Sequence, residues 1–175
     1  ALWSLSIKHY DNQVAVADAG GIAPLVAALG LDSVRAQEQA AGALASLALD
    51  NTKNELSIAK LVVSLLATDD KQASAKAARA ISHLARAHAS NQRSIAAAGG
   101  VMLLVKLLNV EEGGVGSGVL SGQAAVVMLE SAKVQKEMAS AIWAMSRDNI
   151  ENQVAIAQAG GIDPLIKLLE GHPEV

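Results

Sequence analysis

The sequence predicts an all-α solenoid of stacked three-helix units. One phrase is written three times: NQVAVADAGGIAPLVAAL over 12–29, NQRSIAAAGGVMLLVKLL over 91–108 and NQVAIAQAGGIDPLIKLL over 152–169. A second phrase ends six residues before each of four asparagines. It reads ALWSLS at 1–6, ALASLA at 43–48, AISHLA at 80–85 and AIWAMS at 141–146, ahead of Asn12, Asn54, Asn91 and Asn152. No stretch alternates apolar and polar residues as a half-buried strand would. Self-similarity at a period of about 40 residues marks a repeat array, in which a unit too small to bury its own apolar face stacks on its neighbours.

Each part of the phrase has a local reading. The asparagine before QxxIAxA is expected to cap a short first helix, its side chain accepting a backbone N–H. The pairs Gly20-Gly21, Gly99-Gly100 and Gly160-Gly161 then end that helix, the first glycine taking the left-handed position. A second helix follows, with Asp163 expected as its cap and Pro164 as its first residue; the first copy keeps the proline at Pro24. Behind it, LVAAL and LIKLL are apolar enough to be buried on most sides. The third helix, Ser33 to Leu49, is longer and amphipathic. Ala40, Leu44 and Leu47 fall on one face, and Arg35, Glu38 and Gln39 on the other. Asp70 to Arg86 repeats the pattern with Ala77, Ile81 and Leu84.

The spacing sets the organisation. Steps of 42, 37 and 61 residues separate the four asparagines, so one copy is shortened and one lengthened. In the second copy, NELSIAKLVVSLL (54–66) lacks the five residues around the glycine turn. The third carries an insertion near 110–131. The expected units are the end of a preceding repeat at 1–11, a repeat at 12–53, a shortened repeat at 54–90, a repeat with the insertion at 91–151 and a partial repeat at 152–175. The chain opens inside a third helix and closes after a second. It therefore reads as a fragment of a longer array whose uncapped ends favour head-to-tail self-association.

Composition narrows the function classes. Half the residues are apolar (51%), yet aromatics make up only 2%, with no Phe. Helices packed closely through small side chains are the expected result. The 14 basic and 17 acidic residues give a net charge of −3, with no basic footprint for nucleic acid. Without cysteine, disulfides, Cys-ligated zinc and thiol catalysis are excluded. The longest uncharged run, Gly113 to Leu129, holds too many glycines for a membrane span. The first residues do not form a signal peptide. His9, His83, His88 and His172 fit no metal-ligand spacing and read as solvated or capping side chains. Gly116-Ser117-Gly118 lacks the strand and the GK[ST] of a phosphate loop and reads as a flexible insertion, with Glu111-Glu112 at its entrance. AAVVML (124–129) could dock back as an extra turn of helix or order on a partner. No nucleophile–base set is placed together, so no catalysis and no cofactor is expected.

The pattern NQxxIAxAGGIxPLxxLL, with a long helix ending in ALWxLS, resembles the armadillo repeat of β-catenin and importin-α over nearly the whole chain. The resemblance implies a right-handed superhelix with third helices lining a concave groove, and a protein or peptide partner held there. In importin-α the third helices carry WxxxN, whose Trp makes pockets for basic side chains and whose Asn holds the peptide backbone. Here the Trp position is occupied by Trp3, Ala45, Ser82 and Trp143, and the Asn position by Ile7, Leu49, Arg86 and Arg147. These eight residues are the candidate partner-binding positions. With no Asn retained, capture of a basic nuclear-import signal is disfavoured. Ser82, Arg86, Trp143 and Arg147 instead suit an extended acidic or phosphorylated peptide, since arginine makes bidentate contacts to oxyanions. The competing reading is that both arginines are solvated helix ends, favourable near the negative C-terminus.

The expected function is therefore a non-enzymatic interaction scaffold in the cytoplasm or nucleus, without nucleic acid or membrane partners. The alternatives are an import-type cargo adaptor and the recognition arm of a larger enzyme such as a ubiquitin ligase.

Overall fold

The computed structural model describes residues 1–31, 33–109 and 122–171. Among them the chain is helical throughout: α1 (Leu2–Ser6), α2 (Tyr10–Asp18), α3 (Ile22–Ala28), α4 (Val34–Ala48), α5 (Thr52–Leu66), α6 (Lys71–Ala87), α7 (Ala89–Ala97), α8 (Gly100–Leu108), α9 (Gly122–Ser146), α10 (Ile150–Gln158) and α11 (Ile162–Gly171). Helices α2–α3–α4 and α7–α8–α9 are complete first, second and third helices. Helices α10–α11 are a first and second, and α1 is the end of a third.

The double glycine divides its work. Gly99 has φ +89° with open space where a Cβ would lie, so it is needed for its backbone angle. Gly100 has ordinary angles, but a Cβ there would meet Ile95 Cγ2 at 2.6 Å and the Ile95 carbonyl oxygen at 2.9 Å. One glycine turns the chain, and the next lets the second helix lie against the first. In the first and last copies, the amide of the second glycine donates to Val16 and Ile156, and that of the first to Ala17 and Ala157. Both turns are Schellman motifs.

Two local expectations are corrected. The repeated asparagine is not the N-cap. It stands three residues after the cap; the caps are His9, Asn51 and Asn149, which accept from the amides of Asn12, Asn54 and Asn152. His88 holds the equivalent place without a side-chain cap bond. The asparagine amides reach back seven residues instead, donating to the carbonyls of Leu5 (2.8 Å), Leu47 (3.0 Å), Leu84 (3.0 Å) and Met145 (2.8 Å). The last carbonyls of a helix have no intrahelical partner, so each asparagine closes the end of the preceding third helix. Likewise, Asp163 and Pro164 lie inside α11, which begins at Ile162, and Pro24 lies inside α3, behind the cap at Gly21. Both prolines remain in the first turn, where their missing N–H has no acceptor to lose.

The deletion and the insertion have different outcomes. With no Gly or Pro in 54–66, nothing ends a first helix, and α5 runs unbroken from Thr52 to Leu66. Of the insertion near 110–131, residues 110–121, including Glu111-Glu112 and the glycine run, lie outside the described residues. From Gly122 the chain is already helical, and AAVVML continues into α9 as one helix of 25 residues.

Polar side chains fasten a first helix to the C-terminus of its own repeat's third helix. Gln13 Nε2 donates to the carbonyls of Ser46 (2.9 Å) and Leu49 (3.2 Å), and its Oε1 accepts from Asn51 Nδ2 (3.3 Å). Gln92 does the same with Ala144 (2.9 Å), Arg147 (3.1 Å) and Asn149 (3.0 Å). The phrase NQ is thus a pair of clamps on third-helix C-termini. The second repeat has Glu55 in place of the glutamine, and its carboxylate accepts from Ser94 Oγ.

The core is aliphatic, with Leu29, Leu44, Leu66, Ile81, Leu84 and Leu104 fully buried. Small residues (Ala77, Ala78, Ala80, Ala141 and Ala144) are buried along the third helices, which pack closely on one another. Neither tryptophan belongs to the core: Trp3 is 40% exposed and Trp143 55%.

Candidate peptide-binding groove

The third helices α1, α4, α6 and α9 follow one another along one face and carry the two ladders of candidate residues. At the N-terminal end, the Trp3 ring covers α4, where a Cβ on Gly42 would lie 2.8 Å from its atoms. Ile7 is exposed beside it, and Ala45 and Leu49 are half-buried. This half of the ladder is apolar.

The other half is cationic and ordered by contacts. Ser82 is buried, and its hydroxyl lies 3.1 Å from that of Ser140. It accepts from Arg86 Nη2 at 2.6 Å, while Arg86 Nε donates to the Ser82 carbonyl at 3.1 Å. Thus seated, the Arg86 guanidinium carbon lies 5.9 Å from the centre of the Trp143 ring. The guanidinium carbon of Arg147, one turn further along α9, is also 5.9 Å from it. Arg147 is held more loosely, with Nε 3.5 Å from Asp148 Oδ2 on the surface. The structure thus brings Ser82, Arg86, Trp143 and Arg147 together, and places Trp3 and Ile7 at the far end of the ladder.

Sequence reasoning missed the layer beneath. Arg79 donates through Nε (3.0 Å) and Nη2 (2.7 Å) to Glu137 Oε1, a part-buried pair that ties α6 to α9. Register gave no signal for the pair, since it aligns Arg79 with Ser140 and not with Glu137. His83 lies between the two arginines of α6. Burial lowers its pKa from the usual 6.5, and the charges of Arg86 and Arg79 lower it further against the weaker pull of Glu137 and Glu38.

Charge is segregated. Residues 71–87 of α6 and 122–147 of α9 and its end hold seven of the fourteen basic residues but two of the seventeen acidic ones. Against a chain of net charge −3, these two stretches carry a net positive charge.

Beside Trp143 an apolar groove of about 410 Å³ runs between α9 and α11, lined by Lys136, Ala139, Ser140, Leu165, Leu168 and Leu169. The matching face one repeat earlier is covered by α9: Ala75, Ala78 and Ser82 are at most 5% exposed, and Leu104 and Leu108 at most 4%. A second groove of about 340 Å³ lies at Leu2, Leu5 and Val16. Among the described residues, no cluster of His, Asp or Glu is arranged to hold a metal, and no helix is long and apolar enough to cross a membrane.

Residues 9–49 match the Armadillo/beta-catenin-like repeat family. An engineered protein of known structure is 30% identical, with a TM-score of 0.54 over 96% of this chain and 62% of its own. A computationally designed armadillo repeat protein for modular peptide recognition is 23% identical, with a TM-score of 0.52 over 96% of this chain and 65% of its own. Another designed armadillo repeat protein, 22% identical, has a TM-score of 0.56 over the same shares. The chain thus spans less than two thirds of each of these structures. No curated protein matches it in sequence. The repeated phrase, the three-helix units stacked through their third helices and these likenesses agree: residues 9–49 match an armadillo repeat, and the chain has the fold of an armadillo solenoid.

Proposed function

We propose that the chain is a non-enzymatic scaffold that holds an extended segment of a partner protein along its third-helix groove, and that this segment is acidic or phosphorylated. The observation that carries this reading is the pair of guanidiniums at Trp143. An indole attracts cations through its π-face. Here that attraction is already used by two arginines of the chain itself, whose remaining N–H groups suit carboxylate or phosphate oxygens. A basic ligand would meet two like charges at this tryptophan. Together with the absence of an amide at Ile7, Leu49, Arg86 and Arg147, this disfavours the import-adaptor reading. The same groove would serve as a recognition arm if a catalytic domain were joined to it. A cysteine-free chain is at ease in a reducing compartment, so the cytoplasm or nucleus is the proposed location.

The test uses fluorescence anisotropy of labelled extended peptides, glutamate-rich, phosphoserine-containing and lysine-rich, against the chain and its Arg86→Glu/Arg147→Glu variant. Acidic or phosphorylated peptides should bind the chain and lose binding to the variant. Preference for lysine-rich peptides would overturn the proposal.

A further inference from the structure

We infer that Ser140 and Arg86 together form a seat for a phosphate group, in which the Ser140 hydroxyl donates to the ligand. The inference rests on the proposed function above and narrows its ligand from acidic to phosphorylated. The hydroxyl oxygens of Ser82 and Ser140 are 3.1 Å apart, a spacing at which either could donate. A guanidinium has no lone pair to offer, so Arg86 Nη2, 2.6 Å from Ser82 Oγ, is the donor there. Ser82 is 1% exposed, and among the described residues its hydroxyl meets only these two groups. Were Ser140 also to donate to it, the Ser82 proton would be buried without an acceptor, which is costly. The Ser82 proton therefore points to Ser140 Oγ. The proton of Ser140 is left over, and among the described residues it has no acceptor. Ser140 is half-buried and lines the groove beside Trp143, so this proton is free to turn into the groove.

The Arg86 guanidinium is fixed in a complementary way. Its Nε and one proton of Nη2 are taken by the Ser82 carbonyl and hydroxyl. The N–H groups that remain include one on each Nη, and these point away end-on as a fork. A group fixed before binding loses less freedom when the ligand arrives. Nη2 and Ser140 Oγ are both hydrogen-bonded to Ser82 Oγ, so they are at most about 5.7 Å apart. Each donor reaches about 2.8 Å, and one anion between them therefore meets both. A carboxylate has two oxygens, and the fork takes both. A phosphate monoester brings a third oxygen, and Ser140 supplies the third donor.

The experiment measures fluorescence anisotropy of three extended peptides that differ at one central residue: phosphoserine, glutamate or serine. The quantity read is the ratio of phosphoserine to glutamate affinity, so that changes common to both peptides cancel. Ser140→Ala should lower this ratio about three- to tenfold, the scale of one charge-assisted hydrogen bond partly open to water, and should leave glutamate binding within about twofold. Ser140→Thr, which keeps the hydroxyl, should retain the original ratio. In the ¹⁵N-labelled chain, the indole N–H signal of Trp143, told from that of Trp3 by Trp3→Phe, should shift with the phosphoserine peptide. An unchanged ratio in Ser140→Ala, the same fall in Ser140→Thr, or an unmoved Trp143 signal would overturn the phosphate seat while leaving an acid-binding chain. If neither charged peptide binds above the serine peptide, the proposed function on which the seat rests is overturned instead.

Discussion

Replacing Gln92 by leucine should destabilise the chain far more than the same change at Gln153, although both occupy the second position of the repeated phrase. Gln92 is 5% exposed, and its side chain makes three bonds: to the Ala144 carbonyl (2.9 Å), to the Arg147 carbonyl (3.1 Å) and from Asn149 Nδ2 (3.0 Å). Leucine keeps most of the volume and none of the bonds. The Ala144 carbonyl is then stranded in a buried site, at a cost of about 1–3 kcal/mol, while the two part-buried partners lose about 0.5–1 kcal/mol each because water reaches them. The sum is about 2–5 kcal/mol, or a fall in Tm of about 5–20 °C for a chain of this size. Gln153 is exposed and makes one bond, to the Ser146 carbonyl at 2.9 Å, so Gln153→Leu should stay within about 0.5 kcal/mol. Urea unfolding followed by circular dichroism, with both variants at one protein concentration, measures the difference. Because stacked repeats can unfold piecemeal, the slopes are compared as well as the midpoints. Equal losses in the two variants would refute the clamp reasoning. Gln92 also holds the carbonyl of Arg147, so Gln92→Leu should weaken acidic-peptide binding under conditions where the chain remains folded.

Other consequences can be measured directly. Protonation of His83 is disfavoured in the fold, chiefly by burial and then by Arg86 and Arg79. The unfolded chain therefore takes up the proton first, and stability should be full above the ordinary value of 6.5 and decline below it. His83→Gln should flatten that decline in denaturation midpoints taken from pH 7.5 to 5, and an unchanged decline would exclude His83 as its source. The Arg79–Glu137 pair is part-buried and doubly bonded. Glu137→Gln should thus cost about 1–3 kcal/mol, with a double-mutant cycle with Arg79→Met returning part of it; a loss below 0.5 kcal/mol would show the pair to be solvated. Gly100→Ala should destabilise the chain by about 1–3 kcal/mol through its contact with Ile95, and wild-type stability would show that the helices can part without cost. The open apolar grooves at Leu165–Leu169 and at Leu2–Leu5 lead us to expect weak head-to-tail association in sedimentation at high concentration, reduced by Leu169→Lys. A monomer at every concentration would reject it.

The fold was legible because the repeat is written in residues whose roles are local. Glycine pairs, apolar spacing and a phrase recurring at fixed distance each constrain one turn or one face, and together they specify a stack. The exchange of roles at the asparagines was not legible. Asn12 and Asn152 stand three residues after His9 and Asn149, residues equally able to accept a backbone N–H. Which of two polar residues three positions apart caps the helix depends on where the chain arrives from, and that is set by the preceding third helix. The same limit hid Arg79–Glu137: 58 residues separate the partners, and only stacking of α6 on α9 makes them neighbours. The ladder positions could be aligned from sequence alone, but not the distance from either arginine to Trp143.

What distinguishes this array lies in its departures from its own repeat. Positions that must be alike for stacking are alike in every copy: the asparagine that closes the preceding helix does so four times at 2.8–3.0 Å. Positions facing the groove are free of that demand, and there the copies diverge, with Ile7 and Leu49 at one end and Arg86 and Arg147 at the other. The divergence is not loose surface variation at Arg86, which is built on a buried support: Ser82 beneath Arg86 and Ser140 against Ser82. A solvated helix end has no need of a buried hydroxyl to orient its guanidinium. The support under Arg86 therefore weighs towards a groove that holds this charge in place for a ligand, and against an arginine that merely ends its helix.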